Sequence, residues 1–448
     1  MVLPSFFWTK LLIFFIFKMG RPILLHIPSN HSFPLLLPGL EPMAGEKSPP
    51  HFFTITERFS RTKMDKINLR RRRQVIAGQV YEWSSNLIPF QIWGGDVNFQ
   101  NLIRRGIKMW EESTCLRFRE NLQATDAIRY VLERGDSCFT EYIGRNGGFQ
   151  DIIIGSECAE EYVVAHETGH ALGFWHTHQR PDRERYISIN WRNVLEEATA
   201  SFMPFRSMLQ AFAIKQVSGR RSPYDYGSLM HYHAMGTERM AFLDAKLIND
   251  IYCPNACEGL SRNLHCQSGG YPDPNNCNIC RCPDALGGVE CERLQTSICG
   301  GELIATDQWQ TLKSPDLHKN KLEAEKIKKK IKLETEKLNL KQKNKLDSRT
   351  QQSSLVNSFN KNVQCYWRIS VPEGSHIRFR LSDGEFPCSY GCQSYVEIKH
   401  KLDIRLTGFR SCCYRPKEDT ISDGSQIFVI FRPNGRTSRF TLRYIRRL

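Results

Sequence analysis

Cysteine is missing from the first 114 residues of this 448-residue chain, and all 16 cysteines fall between Cys115 and Cys413. Only Cys277 and Cys280 form a C-x-x-C pair. That excludes a series of cytosolic zinc knuckles, each of which needs two such pairs. An even number of closely spaced cysteines then points to disulfides and an oxidising compartment. Long apolar runs are also absent, and none approaches the roughly 20 residues that a membrane-crossing helix needs. The stretch from Phe6 to Phe17 is interrupted by Lys10 and closed by Lys18. It has the length of a secretory h-region without a charged n-region, so residues 1–19 are expected to be a signal peptide of a secreted, extracellular protein. Beyond Cys257 no acidic cluster suits calcium. The one N-glycosylation triplet, Asn30-His31-Ser32, lies in the signal or propeptide region.

Charge is plentiful but localised. The chain carries a net +15; residues Arg61 to Arg73 hold 7 Lys+Arg against 1 acidic residue, and Lys313 to Arg349 hold 13 against 6. These two blocks account for 13 of the 15 charges, so the pattern argues against a nucleic-acid-binding face spread over a folded domain. The first block ends in Arg70-Arg71-Arg72-Arg73 and reads as a processing site that would expose Gln74. Residues 20–73, free of cysteine and sustained periodicity, read as a propeptide. The second block lies in a Lys/Glu/Asn/Leu-rich stretch, residues 316–362, which suits a solvated helix, a disordered insert, or untranslated sequence included in the chain.

Chemistry concentrates in His166-Glu167-Thr168-Gly169-His170-Ala171-Leu172-Gly173-Phe174-Trp175-His176. Histidines four apart share one face of a helix and can reach one metal. Glu167 is placed near that metal without binding it, as a general base requires. Gly173 permits a sharp turn that returns His176 as a third ligand. Three neutral nitrogen donors with an open position describe a catalytic zinc site. Upstream, Phe99, Leu102, Ile103, Ile107 and Trp110 recur at helical spacing, and Ile152, Ile153 and Ile154 read as a strand feeding the zinc helix. Six cysteines from Cys257 to Cys291 mark a module too small to hold a core without covalent staples. The alternations Ile377/Phe379/Leu381, Ile427/Val429/Phe431 and Phe440/Leu442/Tyr444 predict an antiparallel β-sandwich.

Residues 74–253 resemble the catalytic domain of the astacin family of metzincin zinc endopeptidases. The zinc string is followed by Arg180-Pro181-Asp182-Arg183, and Ser228-Leu229-Met230-His231-Tyr232 is similar to the Met-turn. The resemblance implies that Met230 floors the metal and that Tyr232 stabilises the tetrahedral oxyanion. It also implies that Gly147-Gly148-Phe149-Gln150 is the edge strand that pairs with a peptide. Implied disulfides are Cys115–Cys253 and Cys138–Cys158. Residues 254–292 resemble an EGF-like domain, with implied pairs Cys257–Cys277, Cys266–Cys280 and Cys282–Cys291. Residues 299–448 look like a CUB domain interrupted at 316–362, with Cys299 and Cys365 disulfide-bonded and the pairing of Cys388, Cys392, Cys412 and Cys413 left open. The fold class expected is α+β: a two-subdomain metzincin protease, a disulfide-rich module and an all-β sandwich.

The expected activity is hydrolysis of peptide bonds in extracellular matrix or cuticle proteins. Water activated by one Zn²⁺ at His166, His170 and His176 would attack, with Glu167 as base. The CUB domain would take matrix or carbohydrate ligands, and neither nucleic acid nor a membrane span is expected. The alternative is an inactive matrix-binding protein acting through its EGF-like and CUB modules. Three departures from the family pattern stand out. Thr177 occupies the place of the glutamate that usually pairs with the mature N-terminus, and Gln74 can cyclise and lose its charge. No F-x-G-D motif precedes Arg73, and the segment from residue 233 to residue 240 is short.

Overall fold

The computed structural model describes residues 81–194, 196, 199–204, 222–232, 239–260, 264–297, 299–315, 364–387, 393–412, 418–433 and 438–448, with the dipeptide strands Phe33–Pro34 and Thr54–Ile55. The signal and propeptide assignments, Arg73, Gln74, residues 233–238, the insert 316–362, and Cys388, Cys392 and Cys413 lie outside the described residues. The chain forms two compact units, residues 1–293 with 403–408, and residues 294–402 with 409–448.

In the first unit a five-stranded sheet is built from β1 (Leu87–Trp93), β2 (Arg117–Glu120), β3 (Ala127–Glu133), β4 (Cys138–Thr140) and β5 (Phe149–Gly155), in the order β2-β1-β3-β5-β4. Only β4, at one edge, runs antiparallel to its neighbour. The expectation that Gly147 to Gln150 form the edge strand is therefore corrected. Phe149 and Gln150 open the interior strand β5, which pairs along its length with β3. Gly147 and Gly148, at φ +83° and +75°, form the turn before it. The reason is non-local: β4 reaches back to pair with Ile152, Ile153 and Ile154 and takes the outer position itself.

Helix α1 (Val97–Glu111) is capped by the Asp96 carboxylate, which accepts the Phe99 amide proton. It buries Phe99, Ile103, Ile107 and Trp110. At Gly106 it comes so close to α2 (Glu161–Ala171) that a Cβ would meet Val164 at 2.5 Å. The short α3 (Thr199–Phe202) follows, and α4 (Phe242–Tyr252) adds Leu247, Ile248 and Tyr252 to the same core. Disulfide Cys115–Cys253 ties the end of α1 to the end of α4, and Cys138–Cys158 ties β4 to the loop before α2. A small following module holds the hairpin β6 (Tyr271–Asp273) and β7 (Asn276–Arg281), with disulfides Cys257–Cys277, Cys266–Cys280 and Cys282–Cys291.

The second unit is a sandwich. One sheet contains β8 (Gly300–Ile304), β10 (Cys365–Ser370), β15 (Gln426–Arg432), β12 (Tyr395–Lys399) and β13 (Phe409–Ser411), in that order. The other contains β9 (Gln310–Lys313), β16 (Arg439–Arg447), β11 (His376–Glu385) and β14 (Thr420–Ile421). Ile377, Phe379, Leu381, Leu442 and Tyr444 point inward, as their period of two requires. The sandwich is not wholly antiparallel, because β8 and β10 run in parallel. The Cys299–Cys365 disulfide joins their starting ends and so sets a common direction. Cys412 is also disulfide-bonded.

Candidate active site

Helix α2 carries His166 and His170 one turn apart, with Glu161 at its positive end. It stops at Ala171; Gly173 adopts φ +107°, closed to residues with a Cβ, and the chain turns back to deliver His176. His176 Nε2 lies 3.2 Å from His166 Nε2 and 3.1 Å from His170 Nε2. The opposite nitrogen of each ring faces an acceptor: His166 Nδ1 to the Leu229 carbonyl at 2.7 Å, His170 Nδ1 to the Phe174 carbonyl at 2.8 Å, and His176 Nδ1 to Gln179 Oε1 at 3.0 Å. Those acceptors put the proton on every Nδ1 and leave three Nε2 lone pairs converging on one point. Lone pairs at this separation repel one another unless a cation lies between them, so the donor set fits a metal such as zinc. Burial pushes His170 down to about 4 and His176 well below the ordinary histidine range, which keeps both rings in the neutral, ligating form.

Beside these rings sits Glu167, 3 % exposed. Burial drives its pKa up to about 7, opposed by the Thr140 hydroxyl. That hydroxyl, at the end of β4, lies 2.8 Å from Glu167 Oε2 and 2.7 Å from the Glu167 carbonyl. The Tyr232 ring packs 4.5 Å from His176 and 4.1 Å from His178. Its hydroxyl is buried without a hydrogen bond of normal geometry. Burial raises its pKa well above a free phenol's, and the Glu167 carboxylate adds to this. The Ser201 hydroxyl is a nearby partner of poor geometry that offsets this shift in part, so the phenol fits a site that offers a better acceptor.

Met230 is fully buried beneath the histidines, and a Cβ at Gly169 would meet its sulfur at 2.6 Å. The turn that carries it is held from α4. Asp244 accepts the Ser228 hydroxyl at 2.7 Å and the Leu229 amide at 2.6 Å, while Thr177 donates its hydroxyl to Ser228 at 3.0 Å. Because the Leu229 carbonyl holds His166, this network connects α4 to a metal-facing ring. Thr177 is wholly buried, and its amide donates to the Met230 carbonyl at 2.8 Å.

Residues 75–249 match the family model of the astacin peptidases, and residues 340–444 match the CUB domain model. Zinc metalloproteinase nas-26 of Caenorhabditis elegans is 66% identical over 432 residues, spanning 92% of each chain. The chain belongs to the astacin family. Its enzyme class is therefore zinc metalloproteinase, and its cofactor is zinc. Zinc metalloproteinase nas-30 of C. elegans is 34% identical over 392 residues, which cover 82% of this astacin and 45% of that protein. Among solved structures, the hatching enzyme zinc-protease high choriolytic enzyme 1 from Oryzias latipes aligns at 25% identity with a TM-score of 0.35, covering 40% of this chain and 98% of that one.

Sequence reasoning did not single out Thr140, Gln179, Gly169 or Asp244. One signal was available for the last: Asp244 stands among Leu243, Leu247 and Ile248 on the buried side of α4, where a carboxylate needs a reason. The carbonyls of Phe174 and Leu229 carry no side-chain signature at all.

Proposed function

We propose that this astacin is a secreted endopeptidase that hydrolyses peptide bonds of extracellular matrix or cuticle proteins. The observation that carries the reading is the convergence of the His166, His170 and His176 ligand atoms within 4.8 Å, beside a buried carboxylate. When bound there, zinc supplies Lewis acidity that turns water into a nucleophile near neutral pH. Glu167 takes the proton of the attacking water and passes it to the leaving amine nitrogen. A carboxyl held at about 7 suits both halves of that transfer. Thr140 keeps the Glu167 carboxylate aimed. The Tyr232 hydroxyl, held in the protein only by a contact of poor geometry with Ser201, donates to the oxygen that gains charge as the carbonyl is attacked. Strand β4, the last in the order of the described sheet, runs past Glu167, and this position supports main-chain pairing with an extended peptide.

Six disulfides among the described residues support an oxidising, extracellular setting. No described helix is long and apolar enough to cross a membrane. The boundaries proposed are signal peptide 1–19, propeptide 20–73 ending at Arg73, protease 74–253, EGF-like module 254–292 and CUB domain 299–448. The three disulfides after Cys257 support the EGF-like reading. With Thr177 in the glutamate's usual place, maturation at Gln74 proceeds without the usual buried ion pair, because a buried ammonium without a partner is costly. The test is Glu167→Ala in the full chain. Zinc should remain at one per chain while peptide hydrolysis falls by about 10²–10⁴-fold or more; undiminished turnover would overturn the assignment.

A further inference from the structure

The outward face of the β9-β16-β11-β14 sheet carries an array of cations that the protease chemistry does not use. Ile377, Phe379 and Leu381 turn inward, which sends Arg378 and Arg380 to the outer face, where their side chains are 41% and 39% exposed. On the neighbouring strand Arg443 stands directly opposite Arg380, and Arg447 opposite His376. The guanidinium carbons of Arg378, Arg380 and Arg443 lie 5.8, 5.2 and 5.2 Å from the centre of the Trp309 ring. One indole thus holds three guanidinium groups in a single layer. Like charges directly opposite on adjacent strands destabilise a sheet unless something neutralises them. Asp419 does so for Arg378, and at 3.8 Å for Arg380. Arg443 has no carboxylate within ion-pair distance among the described residues. Towards the other end of the face the charge is balanced, with Arg439 paired to Glu385.

We propose that this face binds a sulfated polysaccharide. Fixed guanidinium forks match the paired oxygens of sulfate groups, and repeated sulfates along a chain match guanidiniums set side by side on the two adjacent strands β11 and β16. The choice of polyanion rests on the extracellular reading above, since disulfide-bonded proteins and sulfated polysaccharides share that compartment whereas nucleic acid does not. Binding itself is tested on purified full chain, so its failure would leave the zinc-site reading standing.

The probe is heparin, immobilised and as a soluble oligosaccharide, titrated in increasing NaCl. R380Q/R443Q should weaken binding at least about tenfold at physiological salt. The dependence of log affinity on log salt should become shallower by about two. R439Q/R446Q removes the same charge from arginines paired with Glu385 and Asp307 and should bind as the parent does. R380K/R443K, which keeps the charge and loses the forks, should fall between. An unchanged calorimetric transition of the sandwich unit, which holds all four arginines, verifies that each variant is folded. The proposal fails if the parent does not bind heparin, or if both glutamine pairs weaken it equally. It also fails if desulfated heparin, duplex DNA or phosphatidylserine vesicles compete as well as heparin itself.

Discussion

Substituting Gly169 with alanine presses one methyl group into the packing beneath the metal site. That methyl carbon would meet Met230 Sδ at 2.6 Å, Trp110 Cζ2 at 3.2 Å and Met230 Cε at 3.4 Å. The methionine cannot simply retreat. It is fully buried, its amide donates to Ser228 Oγ at 3.1 Å, and its carbonyl accepts from Thr177. Alanine in place of glycine inside a helix gains about 1 kcal/mol from backbone propensity, whereas overpacking a closed core costs about 1–3 kcal/mol. The clash should win, leaving a net loss of about 1–2 kcal/mol. Met230→Ala alone opens a cavity and should cost about 2–5 kcal/mol. In the double variant the new methyl fills part of the vacated space, so the two losses should fall short of their sum by about 1–2 kcal/mol. Urea denaturation of the zinc-loaded chain, followed by tryptophan fluorescence, measures this, because Trp110 lines the contact. Zinc release to a chelator gives a second readout. Strict additivity, or a Gly169→Ala variant as stable as its parent, would refute the packing account.

The Thr140 hydroxyl favours the ionised form of Glu167, so Thr140→Val should raise that pKa further above about 7. Proton acceptance needs the carboxylate, so kcat/KM should fall earlier on acidification and its acid limb should move to higher pH; a stationary limb would exclude the contact. Stripping zinc should lower the melting temperature, since a ligand present at 1,000 times its Kd contributes about 4 kcal/mol. In the metal-free chain stability should also fall between pH 6.5 and 4, because unfolded histidine takes up protons there while buried His170, at about 4, does not. A flat melting temperature across that window in chelator would count against the burial of this ring. The Cys115–Cys253 bridge closes a separation of 138 residues. Its replacement by two serines should destabilise the protease unit by up to about 5 kcal/mol, read as a lowered first calorimetric transition; a loss near zero would mean that α1 and α4 stay docked without it.

Helix α1 was legible because Phe99, Ile103, Ile107 and Trp110 recur at the helical period, and all four are buried. The sandwich strands were legible for the same reason at period two. The edge of the protease sheet was misplaced from sequence. Strand order depends on which distant segments pair, and no local pattern distinguishes the interior strand β5 from the three-residue β4 that covers it.

Within the site, what the amino-acid order determined is spacing. His166 and His170 fall one turn apart, and Gly173 permits the reversal to His176, because these relations are fixed within eleven residues of backbone geometry. Tertiary structure alone decided that His166 turns its Nδ1 to the Leu229 carbonyl and leaves its Nε2 to bind metal, whereas His170 and His176 are oriented by partners within four residues. It likewise decided that Thr140 reaches Glu167, that Asp244 grips the turn holding Met230, and that Arg380 meets Arg443. Those outcomes rest on backbone carbonyls and on partners up to 63 residues away. Such groups act only once the hydrophobic core has closed the chain around them, and hydrophobic patterning specifies that a core will form without specifying which polar groups it brings together.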